Sequence, residues 1–258
     1  MNPRVRRWYT AERRRPRLYV AHSLARGTAI ELEAGQAHYL HAVLRLGLGA
    51  SVAAFNEADG EWRCGIADIG KSRVRLAVEE QLKEPQPETD LWLMFAPIKR
   101  TRLDWLVEKA TELGVAALLP VWTARTQAER IKLERLRAHA IEAAEQSERL
   151  SVPKLHLPEP LDKSLASWPA ERRLIVCDES GAGQPIAEAT ARLSFGPMAL
   201  LIGPEGGFDE RELDAIGKLP FATRVGLGPR ALRAETAALA GLAVLQAIAG
   251  DWRHIRIR

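Results

Sequence analysis

Between Arg17 and Leu82 the apolar residues come in short runs: "RLYVA", "GTAIELE", "GASVAAF", "GEWRCGIADIG" and "SRVRLAVEE". Gly, Asn and Asp separate them, a pattern that predicts strands joined by turns. "NEADGEW" (56–62) has the composition of a hairpin turn. One stretch departs from the pattern. In "AGQAHYLHAVLRL" (34–46) the apolar residues Ala37, Leu40, Val43 and Leu44 follow helical spacing. Many short strands and one helix point to a small barrel-like domain over residues 17–82. "KEPQPET" (83–89) carries two prolines and charge but no apolar residue, and reads as a linker. Over residues 90–258 the pattern changes to alternation. Strand-like runs are "DLWLMFAPI", "VAALLPVW", "RRLIVC", "MALLIG" and "FATRVGL". Helical runs fall at about 101–113, 129–149, 184–192, 209–217 and 233–250. That alternation predicts an α/β domain with a mostly parallel sheet.

Composition narrows the class. The chain has 258 residues, 47% hydrophobic and 27% charged, enough for one large core or two smaller ones. No segment approaches the roughly 20 apolar residues of a membrane span. The first 20 residues lack the apolar stretch and cleavage site of a secretory signal. Cys64 and Cys177 stand far apart and in no metal-ligand spacing, so no metal site and a reduced, cytoplasmic setting are expected. Net charge is +4, but seven Arg and one acid in residues 1–17 give that stretch +6, leaving −2 for the rest. Residues 1–16 therefore form a basic arm, whose clustered charge suits a nucleic-acid phosphate backbone.

The candidate chemistry lies at two strand ends. "MALLIG" runs into Gly203-Pro204-Glu205-Gly206-Gly207, and an acidic helix start follows with Asp209, Glu210 and Glu212. Ligands of open parallel sheets bind at the carboxyl ends of strands. Glycines there allow close backbone approach and positive φ. The dinucleotide and phosphate-loop patterns are both absent. The carboxylates suit a helix N-terminus but would repel a phosphate, so a neutral or cationic ligand is expected. At the next strand end, Gly226-Leu227-Gly228-Pro229-Arg230 leads through Leu232, Arg233 and Glu235 into a long Ala/Leu helix. Such a helix is buried on more than one face. Gly241 permits close approach there, and a subunit interface is one expectation.

"LIGPEGGFDERE" followed by "LGPRALRAETA" resembles the paired signature of the ribosomal RNA small subunit methyltransferase E family, in the SPOUT superfamily. "VEKATELGV" (107–115) and "AIEAAEQSERL" (140–150) are similar to two further family segments. "HYLHAVLRLGLG" and "DGEW" resemble its N-terminal PUA-like domain. The likeness begins at about Arg17 and departs at "SER" (147–149), where a small residue is more usual than Glu148. It implies a PUA-like β-barrel followed by a SPOUT-type α/β domain with a trefoil knot, which general topology rules disfavour. It also implies bound S-adenosylmethionine, a homodimer, and methyl transfer to N3 of a uridine in 16S ribosomal RNA, within a small ribosomal subunit.

The resemblance places Gly203, Pro204, Glu205, Gly207, Leu227, Gly228 and Leu232 around the cofactor. A sulfonium cation suits a loop bearing Glu205. Uridine N3 must lose a proton, which a carboxylate can accept, while a guanidinium can stabilise the resulting oxyanion. Arg233 is the expected stabiliser and Glu205 or Glu235 the expected base. Arg149 is a further candidate, from the neighbouring helix end or the other subunit. Candidate RNA contacts are Arg17, His38, His41, Arg45, Lys99, Arg102 and Arg230. Two other readings remain open: a SPOUT methyltransferase acting on transfer RNA, and a non-catalytic RNA-binding dimer.

Overall fold

A computed structural model describes residues 15–71, 73–127, 130–191, 193 and 196–253. The expected basic arm therefore lies, apart from Arg15 and Pro16, outside the described residues. The chain divides into two compact units, residues 1–86 and 87–258.

The first unit holds β1 (Arg17–Tyr19), β2 (Ala29–Glu31), α1 (Ala34–His38), β3 (Ser51–Asn56), β4 (Gly60–Ile69) and β5 (Val74–Lys83). They form a five-stranded sheet in the order β1-β3-β4-β5-β2. β1 runs parallel to β3, and the other pairs are antiparallel. Alternation sets the inward face: Val74, Leu76 and Val78 of β5 join Leu18, Ile30, Leu40, Val52, Ala54 and Ile66 in one core. The β3–β4 hairpin turns at residues 56–60, where the Asn56 side-chain oxygen accepts from the Ala58 and Asp59 amides (3.0 and 2.7 Å). Gly60 is required there, with φ +79° and a Cβ position only 2.1 Å from the Lys83 carbonyl.

The predicted helix over 34–46 is shorter and changes kind. After α1 the chain continues as a π-helical turn, Tyr39–Val43. The Leu44 amide donates to the Tyr39 carbonyl, five residues back (2.9 Å). This wider turn swings Val43 off the stripe shared by Ala37 and Leu40, and it is 59% exposed.

The second unit is an eight-stranded sheet ordered β11-β13-β10-β12-β6-β7-β8, with β9 also pairing β7. Its strands are β6 (Leu91–Phe95), β7 (Ala117–Trp122), β8 (Lys154–Leu155), β9 (Glu159–Pro160), β10 (Arg173–Cys177), β11 (Gln184–Pro185), β12 (Met198–Ile202) and β13 (Ala222–Gly226). Every described pair is parallel. The helices are α2 (Arg100–Glu112), α3 (Leu133–Gln146), α4 (Leu161–Ala166), α5 (Ile186–Thr190), α6 (Glu210–Gly217) and α7 (Ala234–Ala249). The uninterrupted apolar strands follow from burial on both faces. Leu200 and Ile202 of β12 meet Leu106, Val107, Ala238 and Leu242 on one side. Ala199 and Leu201 meet Phe208, Leu213 and Ile216 on the other. Gly241 turns inward: a Cβ on it would lie 2.7 Å from Leu200 Cδ2, so its small size serves close packing of α7 on β12 within the chain.

Among the described residues no helix is long and apolar enough to cross a membrane. Burial pushes the Cys64 thiol up to about 11 and the Cys177 thiol up to about 12, so both act as small apolar core groups.

Candidate active site

The carboxyl end of β12 opens into residues 203–208. The Gly207 amide donates to the Pro204 carbonyl (2.9 Å) and closes the turn. Asp209 then caps α6: its carboxylate accepts from the Arg211 amide (3.0 Å), and Glu212 accepts from the Asp209 amide (2.9 Å). The other Glu212 oxygen accepts from the Ala124 amide (2.8 Å), in the loop after β7. In that same loop, Arg125 donates to the Gly206 carbonyl (3.1 Å).

The two expected ligand glycines of this loop, Gly203 and Gly207, have a packing reason as well. A Cβ on Gly203 would lie 3.0 Å from the buried Phe208 ring. Gly207 has φ +69°, and a Cβ on it would fall 1.9 Å from Glu179 Oε1. Glu179 stands in the loop after β10 and accepts from the Phe208 amide (2.7 Å). This third strand-end loop escaped the sequence reading, although "RRLIVC" runs into the polar, glycine-bearing "DESGAG". Its other acid, Asp178, is enclosed. It accepts from Arg224 Nε (2.9 Å) on β13 and from the Ser180 amide (2.9 Å). Burial raises the Asp178 carboxyl, but bonds from Ser180 and Arg224 outweigh it and hold the group below its ordinary value.

The β13 loop passes through Leu227, half-buried against the core, and Gly228, with φ +101°. It ends at Arg233, which occupies the N-cap of α7. Leu232, Arg230 and Arg233 are exposed, and neither guanidinium makes an ion pair among the described residues. Arg102, from the first turn of α2, joins this loop system to the β12 loop. It lies 3.5 Å from Glu235 Oε1 and 3.9 Å from Glu205 Oε1. Instead of standing free for phosphate, Arg102 sits between two carboxylates. These differ in exposure: the Glu205 side chain is 36% exposed, whereas that of Glu235 is 11% exposed and its Oε2 has no hydrogen-bond partner among the described residues. Lys99, at the N-cap of α2, is exposed.

Arg149 is not brought to these loops. α2 and α3 run back against the strands, so their last residues reach the amino end of the sheet. There Arg149 is buried, donating to the Thr111 carbonyl (2.7 Å) and to Ser151 Oγ (3.0 Å) and pairing with Glu88. In the first unit Arg17 is likewise engaged, 2.7 Å from Glu61 and stacked 4.3 Å over Phe55. His38, His41 and Arg45 are exposed.

A family model described as an RNA methyltransferase domain matches residues 84–246, and one described as an RNA methyltransferase PUA domain matches residues 32–79. The ribosomal RNA small subunit methyltransferase E of Rickettsia conorii is 32% identical over 240 residues, covering 93% of this chain and 98% of the relative. The chain belongs to the ribosomal RNA small subunit methyltransferase E family. The family's architecture is present in full: a PUA-like first domain and a SPOUT-type α/β second domain. A crystal structure of the family's Neisseria gonorrhoeae member, bound to S-adenosyl methionine, superposes with a TM-score of 0.83 at 27% identity, covering 92% of this chain and 99% of that one. A Legionella pneumophila methyltransferase in complex with the same cofactor gives 0.82 at 30% identity, with the same coverage.

Proposed function

We propose that this protein transfers a methyl group from S-adenosylmethionine to N3 of a uridine in 16S ribosomal RNA. The observation that carries this reading is the pairing of two strand-end loops through Arg102, which holds Glu205 and Glu235 together at the carboxyl end of the sheet. The β12 loop and the helix start after it carry Glu205, Asp209, Glu210 and Glu212 and so suit a sulfonium cation better than a phosphate. Gly203, Pro204, Gly207, Leu227, Gly228 and Leu232 would hold the cofactor, which supplies an electrophilic methyl group. The chain's own residues must make N3 nucleophilic. Glu205, the more exposed carboxylate, is the one an entering base can meet, and it takes the N3 proton. Glu235, shielded from solvent, holds Arg102 in place. Arg233 faces the charge that develops on the uracil oxygens and, always protonated, serves as stabiliser only. The N3 electron pair then takes the methyl carbon, and the carbon–sulfur bonding pair stays on sulfur in S-adenosylhomocysteine. The enzyme acts as a homodimer in the cytoplasm, on 16S RNA within the small subunit.

Purified small subunits and radiolabelled cofactor test this. Label is expected at uridine N3 of 16S RNA. Arg233→Ala should lower the single-turnover rate about 100-fold or more, while changing cofactor affinity no more than about threefold. An unchanged rate removes Arg233 from the mechanism. Label in transfer RNA instead redirects the substrate, and no label with either RNA leaves an RNA-binding dimer.

A further inference from the structure

A cleft of about 290 Å³ opens at the β7 edge of the second unit's sheet, with β6 standing between it and β12. Leu119 and Pro120 line it from β7, His156 and Leu157 from the segment joining β8 to β9, Glu159 from β9 and Ser164 from α4. None of these residues takes part in the methyl transfer proposed above. Leu157 is 77% exposed and carries the apolar lining out to solvent. Two polar groups share that lining. The Glu159 carboxylate accepts from Ser164 Oγ at one oxygen (2.7 Å), and its other oxygen lies 3.4 Å from Lys163 Nζ. The Ser164 hydroxyl, against a smaller cost of burial and with help from Lys163, holds this carboxyl below its ordinary value. It is therefore ionised at neutral pH and can only accept. The His156 ring lies 6.0 Å from the Trp92 ring, centroid to centroid. Burial, with the Lys154 charge second, pushes His156 below its ordinary value. A neutral imidazole offers one N–H donor and one acceptor nitrogen.

A carboxylate and an imidazole N–H beside apolar surface match a flat heterocycle with an amino group next to an acceptor nitrogen. Adenine presents that pair at N6 and N7. Guanine would bring two donors to a carboxylate whose oxygens already meet Ser164 and Lys163. Cytosine carries an amino group on a single ring and so covers less apolar surface. Lys154 and Lys163 are exposed beside the cleft, where they can meet a phosphate. We propose that this cleft binds a free adenine nucleotide at a site separate from the cofactor's, with the base amino group on Glu159 and a ring nitrogen on His156. The inference goes beyond the methyl-transfer reading and does not depend on it.

The test titrates AMP calorimetrically into the full chain with S-adenosylmethionine at saturation, which keeps AMP out of the cofactor site. AMP should bind with a Kd of about 0.1 mM. Raising salt from about 50 to about 200 mM should weaken AMP but not adenosine. IMP, which turns a carbonyl oxygen toward Glu159 in place of the amino group, should bind about tenfold more weakly than AMP. CMP should also bind more weakly. Glu159→Gln keeps the side-chain shape but adds an N–H donor, so AMP and IMP should bind it within about twofold of each other. An unchanged affinity for S-adenosylmethionine shows that this variant remains folded. No binding of AMP up to about 1 mM would overturn the proposal. So would IMP or CMP binding wild type as tightly as AMP, or a Glu159→Gln variant that keeps the preference for AMP over IMP. An adenylate tetranucleotide that binds where AMP does not assigns the cleft to RNA and overturns the free-nucleotide reading.

Discussion

Replacing Gly207 by Ala tests how the β12 loop is held. Two penalties apply. At φ +69° a Cβ costs about 1–2 kcal/mol in the left-handed region. The new methyl also lands on the Glu179 carboxylate, 1.9 Å from Oε1 and 2.6 Å from Cδ, so Glu179 must swing away. Its bond from the Phe208 amide then breaks, and a hydrogen bond to a charged group contributes about 1.5–3 kcal/mol. The whole should come to about 3–4 kcal/mol in urea unfolding. The two parts separate in a double-mutant cycle. With Glu179→Ala already present, adding Gly207→Ala should cost only the backbone part, so the two changes couple by about 2 kcal/mol. Gly206 is the control: a Cβ there meets only Arg125 carbons, at 3.7 and 3.8 Å, and Gly206→Ala should stay within about 0.5 kcal/mol of wild type. Should Gly207→Ala cost the same with and without Glu179, the carboxylate does not hold the loop and the reasoning fails.

Glu148 ends α3 at φ +60°, so Glu148→Gly should be more stable than Glu148→Ala by about 1 kcal/mol, read as a difference in urea midpoint. Asp178, held below its ordinary 3.8, contributes stability that is complete above that value and lost as pH falls through the lower folded one. Asp178→Asn should therefore lose stability at neutral pH, and its deficit against wild type should shrink in acid, as pH-dependent unfolding would record. Arg149→Met strands Glu88 and the Thr111 carbonyl and should destabilise by about 3 kcal/mol. Its calorimetric affinity for S-adenosylmethionine should match wild type. A lost single-turnover rate at full stability would instead place Arg149 in the chemistry.

The alternation of strands and helices in the second unit was legible because doubly covered strands must be apolar throughout, as "MALLI" is, all five residues buried. β8, β9 and β11 were not, since two residues carry no period. β11 also took the first two residues of the expected 184–192 helix. Val43 defeated the helical reading for a different reason. A 3.6-residue period assumes bonds four residues back, and a π-helical turn, with bonds five residues back, moved Val43 to solvent. Arg149 was read from its place in a motif. Where it points depends on the direction of α3, which spacing along the chain does not encode.

The two loops at the strand ends announced themselves through glycine, proline and lone charges. What holds the β12 loop and the start of α6 did not, because each support comes from far along the chain. Glu179 reaches Phe208 across 29 residues, Glu212 reaches Ala124 across 88, and Arg125 reaches Gly206 across 81. Two of these contacts lie on the backbone of residues 203–208 itself, at the Phe208 amide and the Gly206 carbonyl, so they fix its path without using the Glu205 carboxylate. A loop fixed in this way presents its free groups to a ligand without first being ordered, and the ordering entropy is not charged against binding. Glu179→Ala should accordingly weaken cofactor binding from behind the loop, through freedom gained in residues 203–208. Its signature is a less favourable entropy of binding in calorimetry. A loss confined to enthalpy would mean that Glu179 meets the ligand directly and that the loop does not need its support.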